Sequence, residues 1–465
     1  MTRLRWIKRP LSRLVAISLL AGAIPSCGLD VVDPDIITPE DVSDPASIPV
    51  VIAGLVGDFQ VAVDEWILYG GLITDEFLTA GTFPTRREVQ ERQMLVANVS
   101  LNTDLWEPIH TNRFSSDNAV LNLTPLVGDP EFPDQQELIQ EGVAFGQYYG
   151  AYARVMLAEM WCQSILGGGD PEAVNYESAP IGPDERMQQA LTLFQQAEGS
   201  ATAAGRSDVA AAARVGQARA NMWLGNYSQA AAIAASVDAG FEFVSEYSSN
   251  VIAQYNRAYT FTYGDGNDLI RWTVGDGSEP SRDSEKYAFY DEWVDLGLIV
   301  ADAANPPFQS FDSEIEVHLQ TIYGAGNPAP NTVGQSAPIL IASGFEADIY
   351  AAEALYRAGD LAGAAALINS RITDPASNPH GKAFSPVSFT GDFEEDIVEI
   401  GRAYLAGMWI TGQRHGFFRR LFLNDSVDLF PAASPGSDTA FPIPNQELDN
   451  NPDLSQSCPS GPPYN

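Results

Sequence analysis

The sequence predicts a helical scaffold interrupted by one long irregular insert, and three observations carry that reading. Outside residues 238–340, apolar residues recur every three or four positions, the period of one buried helix face. Two short stretches combine a Gly-containing turn with small residues at helical offsets, and they lie about 134 residues apart. Between them, roughly 238–340, helical periodicity is poor and Gly, Asp, Ser, Pro and aromatic residues dominate.

The elements follow in order. A helix opens at Asp44-Pro45, an N-cap residue with proline at the first helical position. Ile48, Ile52, Leu55, Phe59, Val63 and Trp66 make its apolar face, and Trp66 and Tyr69 read as core. Residues 105–123 form a second helix, with Trp106, Ile109, Phe114, Val120 and Leu123 as its apolar positions. Gly142 to Ile165 is apolar or small almost throughout, so neighbours must enclose it. With a helix opening at Pro183-Asp184-Glu185 it makes a pair across 141–204. The two small-residue stretches come next. Leu224-Gly225-Asn226-Tyr227 lies between Ala218 and the pair Ala230 and Ala234; Ala358-Gly359-Asp360-Leu361 lies between Ala352 and Ala364. Small residues let two antiparallel helices approach and glycine permits the turn, as in tetratricopeptide units, which both stretches resemble. Their separation far exceeds the roughly 34 residues of a continuous array, so something large is inserted. Residues 393–423 supply the last helices. Long irregular segments on a rigid scaffold are where binding usually sits, which directs attention to 238–340.

The amino terminus addresses the chain. Arg3, Arg5, Lys8, Arg9 and Arg13 stand in residues 1–26 with no acid, followed by an apolar run from Leu14 to Ala23. That run suits a signal-peptide core and falls short of the roughly 20 residues needed to span a bilayer. Ser26-Cys27 then reads as cleavage before a lipid-modified Cys27, giving a signal at 1–26, an acidic tether at 27–43 and a domain at 44–465. Pro25 departs from the usual pattern, and the alternative is an ordinary secretory signal with Cys27 incidental. Two or three acyl chains on one cysteine would make a permanent anchor. Without residues 1–26 the chain has 20 basic and 61 acidic residues, a formal charge of −41, which argues against nucleic acid as a partner. Cys162 and Cys458 remain; Cys162 lies in an apolar run, where a buried free thiol is the commoner case, and pairing of the two is the alternative.

Several segments, taken in order, resemble the SusD/RagB family of outer-membrane nutrient-binding lipoproteins. Gly71-Leu72-Ile73-Thr74-Asp75-Glu76-Phe77 is similar to the family's early T-D-E segment, Trp106 to Asn118 to the following helix, and Pro183 to Ala197 to the helix opening the first repeat pair. Ala403 to Arg420 resembles a degraded form of the family's Glu/Arg-rich element: Gly412, Arg414 and Arg420 keep the pattern, whereas Ala403, Gly407 and Thr411 replace Glu and Phe417 replaces Asp. Phe441 to Pro452 matches the F-P-I-P-x-x-E-x-x-x-N-P ending at every specified position. The resemblance implies an all-α, SusD-like fold, with tetratricopeptide-like helix pairs as scaffold (about 44–237 and 341–465) and a variable, loop-rich ligand-binding insert. It also implies a lipid-anchored protein facing the cell exterior. Such a protein would bind a nutrient, often an oligosaccharide, and pass it to a SusC-like TonB-dependent β-barrel. The replaced acids put the local salt bridges of the degraded element in question.

Glycan binding needs flat apolar surfaces for sugar C–H faces and polar groups for hydroxyls. Trp272, Tyr287, Tyr290 and Trp293 crowd a Gly/Asp/Ser-rich stretch and are the first candidates; Trp106 is the next. The competing role for each is to plug the seam between insert and scaffold. No catalytic constellation, cofactor motif or metal set is visible: Gly-x-Ser-x-Gly is absent and His110, His318, His380 and His415 are isolated. Asp75-Glu76 reads as a loop or helix-terminus hydrogen bond rather than a glycosidase acid pair. Arg414, His415, Arg419 and Arg420 read as helix-end or ion-pair partners, and Gly264 to Asp268 lacks the spacing of a calcium loop. The expectation is therefore a binding protein and not an enzyme. A helical-repeat lipoprotein for envelope assembly and a surface glycosidase are the weaker alternatives.

Overall fold

In the computed structural model, residues 42–465 form one compact unit. The described residues are 45–74, 76–79, 83–166, 179–260, 270–272, 335–378, 383–408, 410–430 and 434–455. Cys27, the tether, the Gly264 to Asp268 stretch, Tyr287, Tyr290 and Trp293 lie outside them.

The chain enters through a 3-10 turn, Pro45–Ser47, into α1 (Ile48–Ile73). By length and composition α1 would pass for a membrane span, yet neighbouring helices cover its second half, and Trp66 and Tyr69 are fully buried. Each such large side chain contributes about 1.5–3 kcal/mol when removed from water. After β1 (Phe77–Thr79) and α2 (Pro84–Gln90), a π-helical segment, Leu101–Trp106, runs into α3 (Glu107–Leu123). The apolar helix expected at 142–165 is α4 (Gln136–Met160), ended at Trp161, whose backbone turns extended. It is enclosed by α1, α3 and α5 (Pro183–Ala203), which is why it tolerates apolar residues on all sides.

The two small-residue hairpins are present. In the first, α6 (Ser207–Trp223) and α7 (Tyr227–Ala234) flank Gly225 at φ +74°; in the second, α8 (Gly344–Arg357) and α9 (Leu361–Ile372) flank Gly359 at φ +87°. Both turns use the left-handed region that glycine enters without steric cost. Ala218, Ala230, Ala234, Ala352 and Ala364 are all buried at the contacts. Although far apart in sequence, the hairpins stack directly, α7 against α8. Caps fix the second pair: Ser343 Oγ accepts the Glu346 N–H at 3.1 Å, and Asp360 Oδ1 accepts the Gly363 N–H at 2.9 Å.

The chain leaves and re-enters this stack through a two-stranded antiparallel ribbon. Strand β2 (Glu242–Ser245) pairs with β4 (Ile339–Ser343), from Glu242 opposite Ser343 to Ser245 opposite Ile339. A second ribbon pairs β1 with β3 (Ile270–Trp272), placing Trp272 opposite Phe77. Hooks from 246–257 then seize α1: Gln60 donates to the Glu246 carbonyl, Tyr247 OH donates to the Gln60 carbonyl at 3.4 Å, and Arg257 pairs with buried Glu65.

The carboxy-terminal part adds α10 (Phe393–Met408), α11 (Gln413–Asp425) and α12 (Asn445–Asn450). Here the replaced acids cease to matter. Arg420 makes a bidentate pair with Glu353 of α8 (2.8 and 2.6 Å), Arg219 of α6 another with Glu159 of α4 (2.9 and 2.8 Å), and Arg419 donates to the Met160 carbonyl at 3.0 Å. The salt bridges are supplied by other helices rather than by α10. Cys162 also corrects the sequence reading. It lies beyond the end of α4 and is disulfide-bonded, not a free thiol. The Ser455 N–H donates to Gln163 Oε1 at 3.1 Å, and Cys458 lies outside the described residues.

Candidate functional site

The described surface places one expected site residue, Trp106, at a cleft of about 500 Å³ between α3 and α12. Its construction begins with the Phe441-Pro442-Ile443-Pro444 segment. The Phe441 N–H donates to the Met160 carbonyl (2.8 Å), and Trp161 Nε1 donates to the Pro442 carbonyl (3.1 Å). Trp161 meets the edge of Trp106 at 5.0 Å between ring centroids, and Trp106 lies 4.3 Å from the His110 ring one helical turn on. The segment is thereby fixed to the end of α4, and Pro444, extended at the N-cap, launches α12 across from α3.

Two residues of the family-like ending face the cleft from α12 and its end: Glu447 and Asn451. Asn451 Nδ2 donates to Glu447 Oε2 at 3.2 Å and holds that carboxylate in place. From α3 come Glu107, His110, Thr111, Arg113 and Phe114. Phe114 is 46% exposed, whereas Trp106 is only 4% exposed and serves mainly as the cleft's packed rear. Phe114 was expected on the apolar face of its helix. The buried positions of α3 are Ile109, Asn112, Arg113, Ser116, Ala119 and Leu123, and 114 falls off that stripe.

Two carboxylates, Glu107 and Glu447, line the cleft. His110 Nε2 is buried with no hydrogen-bond partner among the described residues. Burial, reinforced by Arg113, Arg186 and Arg154, pushes the His110 pKa down to about 3, so the ring is neutral. Arg113 is paired with Asp117 at 2.9 Å, and Arg154 reaches both oxygens of the same carboxylate. Carboxylate, hydroxyl and amide groups beside an exposed ring can hold a polar, partly apolar small molecule. Among the described residues no group of three His, Cys, Asp or Glu side chains can hold a metal ion.

The other sequence candidates fare differently. Trp272 enters only through its backbone in β3; Tyr287, Tyr290 and Trp293 lie outside the described residues. Glu76 makes the loop hydrogen bond anticipated for the Asp75-Glu76 pair: fully buried, its Oε1 accepts the Ile410 N–H at 2.7 Å. His415 sits buried with Nε2 3.0 Å from the Thr439 carbonyl oxygen, and burial pushes its pKa down to about 3. Phe114, His110, Glu447 and Asn451 were not singled out as binding residues. The available signals were an aromatic off the apolar stripe of α3 and the two polar letters of the carboxy-terminal motif.

No protein-family model and no curated protein matches the chain. Solved structures do. A SusD superfamily protein from Bacteroides vulgatus matches 89% of this chain and 98% of its own length, at a TM-score of 0.62 and 12% identity. A surface glycan-binding protein A from Bacteroides uniformis matches 89% and 99%, at 0.59 and 11% identity. A laminarin-binding SusD-like protein matches 88% and 99%, at 0.53 and 16% identity. The fold of this chain is the SusD-like fold.

Proposed function

We propose that the chain is a lipid-anchored outer-membrane protein that binds an oligosaccharide and delivers it to a TonB-dependent β-barrel, without altering its cargo. The observation that carries this reading is the SusD-like fold along 89% of the chain, shared with proteins described as glycan-binding or laminarin-binding. The signal-like amino terminus with Cys27 and the polar, partly aromatic cleft at α3 and α12 agree with it. Trp106 supports the cleft from behind, and Trp272, Tyr287, Tyr290 and Trp293 are the aromatics proposed to extend the binding surface from the insert.

Two measurements test it. Mature protein in detergent is incubated with a panel of oligosaccharides and the mixture analysed by calorimetry and mass spectrometry; binding without new reducing ends is expected, and bond cleavage overturns it. Solubilised outer membranes are then passed over an affinity-tagged copy. A TonB-dependent barrel should co-purify, and its absence together with no glycan binding favours an envelope-assembly role.

A further inference from the structure

We infer that the cleft between α3 and α12 is a subsite for an uncharged sugar residue, with Phe114 as its stacking platform, and that it discriminates against uronate-bearing glycans. This rests on the oligosaccharide reading above and adds the class of sugar and the residues that choose it. Four observations lead there.

First, Phe114 is 46% exposed and lines a cleft whose volume, about 500 Å³, lies within the roughly 300–1,000 Å³ of small-molecule sites. Its helix has no packing use for it there, since the buried stripe of α3 passes through Arg113 and Ser116 instead. A pyranose buries its C–H face against such a ring while its hydroxyls remain at the edge.

Second, the edge groups suit hydroxyls. Glu447 is an acceptor held in place by Asn451, Thr111 can donate and accept, and Glu107 accepts from the opposite side. Third, the His110 ring lines the cleft, and its buried Nε2 has no hydrogen-bond partner among the described residues. Leaving such an atom unmatched is unfavourable, and a sugar hydroxyl, able to donate or to accept, is a neutral partner for a neutral imidazole.

Fourth, the charge pattern excludes anions. The ring of His110 stays uncharged, and Arg113, only 8% exposed, is engaged by Asp117. The charges that meet an incoming ligand are therefore the Glu107 and Glu447 carboxylates, on a chain whose formal net charge is −36. A uronate would place like charges within a few ångströms of each other, and among the described lining residues the one cation, Arg113, is already paired with Asp117.

Isothermal titration of detergent-solubilised mature protein decides it, with uncharged hexasaccharides (gluco- and manno-configured, α- and β-linked) against oligogalacturonate and oligomannuronate of equal length at 0.15 M salt. At least one uncharged ligand should bind, and the uronates at least tenfold more weakly. Phe114→Ala, at an exposed position, should weaken the uncharged ligand at least fivefold with an unchanged circular dichroism spectrum. The double substitution Glu107→Gln, Glu447→Gln should narrow the gap between ligand classes by raising uronate affinity. Equal or tighter uronate binding overturns the inference and leaves the glycan reading standing, as does binding of an uncharged ligand that Phe114→Ala does not affect. Failure of every ligand in both classes overturns the glycan reading itself.

Discussion

Glu353 of α8 is the residue on which the carboxy-terminal helices depend most, and Glu353→Gln is the sharpest test of how they are held. The side chain is fully buried and accepts three guanidinium hydrogen bonds: Arg420 NH1 at 2.8 Å, Arg420 NH2 at 2.6 Å and Arg357 Nε at 2.8 Å. Burial alone would raise its pKa, but Arg420 and Arg357 outweigh burial and hold it below the ordinary glutamate value. Glutamine keeps the shape and removes the charge. Arg357 retains Asp425 at 2.7 Å, whereas Arg420, 4% exposed, is left with an uncompensated buried charge. Removing one partner of a buried pair costs about 3–5 kcal/mol. Unfolding entropy of about 2.1 cal/mol/K per residue gives close to 0.9 kcal/mol/K for a unit of roughly 420 residues, so Tm should fall by about 3–6 °C. Urea unfolding followed by circular dichroism measures the loss directly. The companion variant Glu353→Leu with Arg420→Met removes both charges and should recover most of the stability, because the desolvation penalty disappears with them. A Glu353→Gln protein within about 0.5 kcal/mol of the parent refutes the assignment. A double variant as unstable as the single one would show that packing, not stranded charge, was lost.

Three further outcomes are expected. Gly416→Ala would place a Cβ 2.3–2.5 Å from the Glu159 carboxylate, which Arg219 grips with two hydrogen bonds and cannot release; a loss of about 1–3 kcal/mol should appear in the same urea assay, and a neutral result would mean that α11 can shift. Non-reducing denaturation with iodoacetamide should leave Cys162 unmodified and reduction should expose it, with stability lower by about 2–5 kcal/mol; alkylation of Cys162 before reduction would contradict the disulfide. Burial pushes Glu65, Glu76 and Glu346 up to about 7, so between about pH 4.5 and 7 the folded state binds more protons than the unfolded chain and stability rises as pH falls through that window, by up to about 3 kcal/mol per group. Glu76→Gln, which keeps an acceptor for the Ile410 N–H, should flatten the profile, and an unchanged pH slope would refute its share.

What the sequence made legible was whatever has a short period or a fixed chemical identity. The α1 stripe, the enclosed α4 and the Gly225 and Gly359 turns follow from helical spacing and from the one residue that enters the left-handed region at no cost. The direct stacking of α7 on α8 across the insert was not read from the sequence. The cleft was harder to see, because its parts are separated by more than 300 residues: Phe114 and His110 on one side, Glu447 and Asn451 on the other. No local pattern joins them. Trp106 was chosen for its place near the amino-terminal loop, but a large ring favours burial, and it packs between Trp161 and His110 while the smaller Phe114 meets solvent. Cys162 was misread for a related reason. The apolar run continues past Met160, but the helix stops there and leaves Cys162 in the irregular segment beyond it.

The same distinction explains how this chain keeps a fold at 11–16% identity to its structural neighbours. Where an interaction can be rebuilt from another helix, the residues have changed. Gly407 stands where the family-like element has Glu, and a Cβ there would lie 2.2–2.6 Å from the Phe345 ring, so α8 has taken the space with an aromatic. Arg420 loses nothing by this, since Glu353 on the same α8 accepts its hydrogen bonds. Phe441 to Pro452 has no such freedom. It must give a backbone N–H to Met160 and a carbonyl to Trp161, leave Pro444 extended at an N-cap, and hold Glu447 against Asn451 at the mouth of the cleft. Four tasks fall within twelve residues, and the two that need particular side chains are those of Pro444 and of the Glu447 and Asn451 pair. On this argument, changes at Glu447 or Asn451 act on the cleft itself and should appear in ligand affinity before they appear in stability.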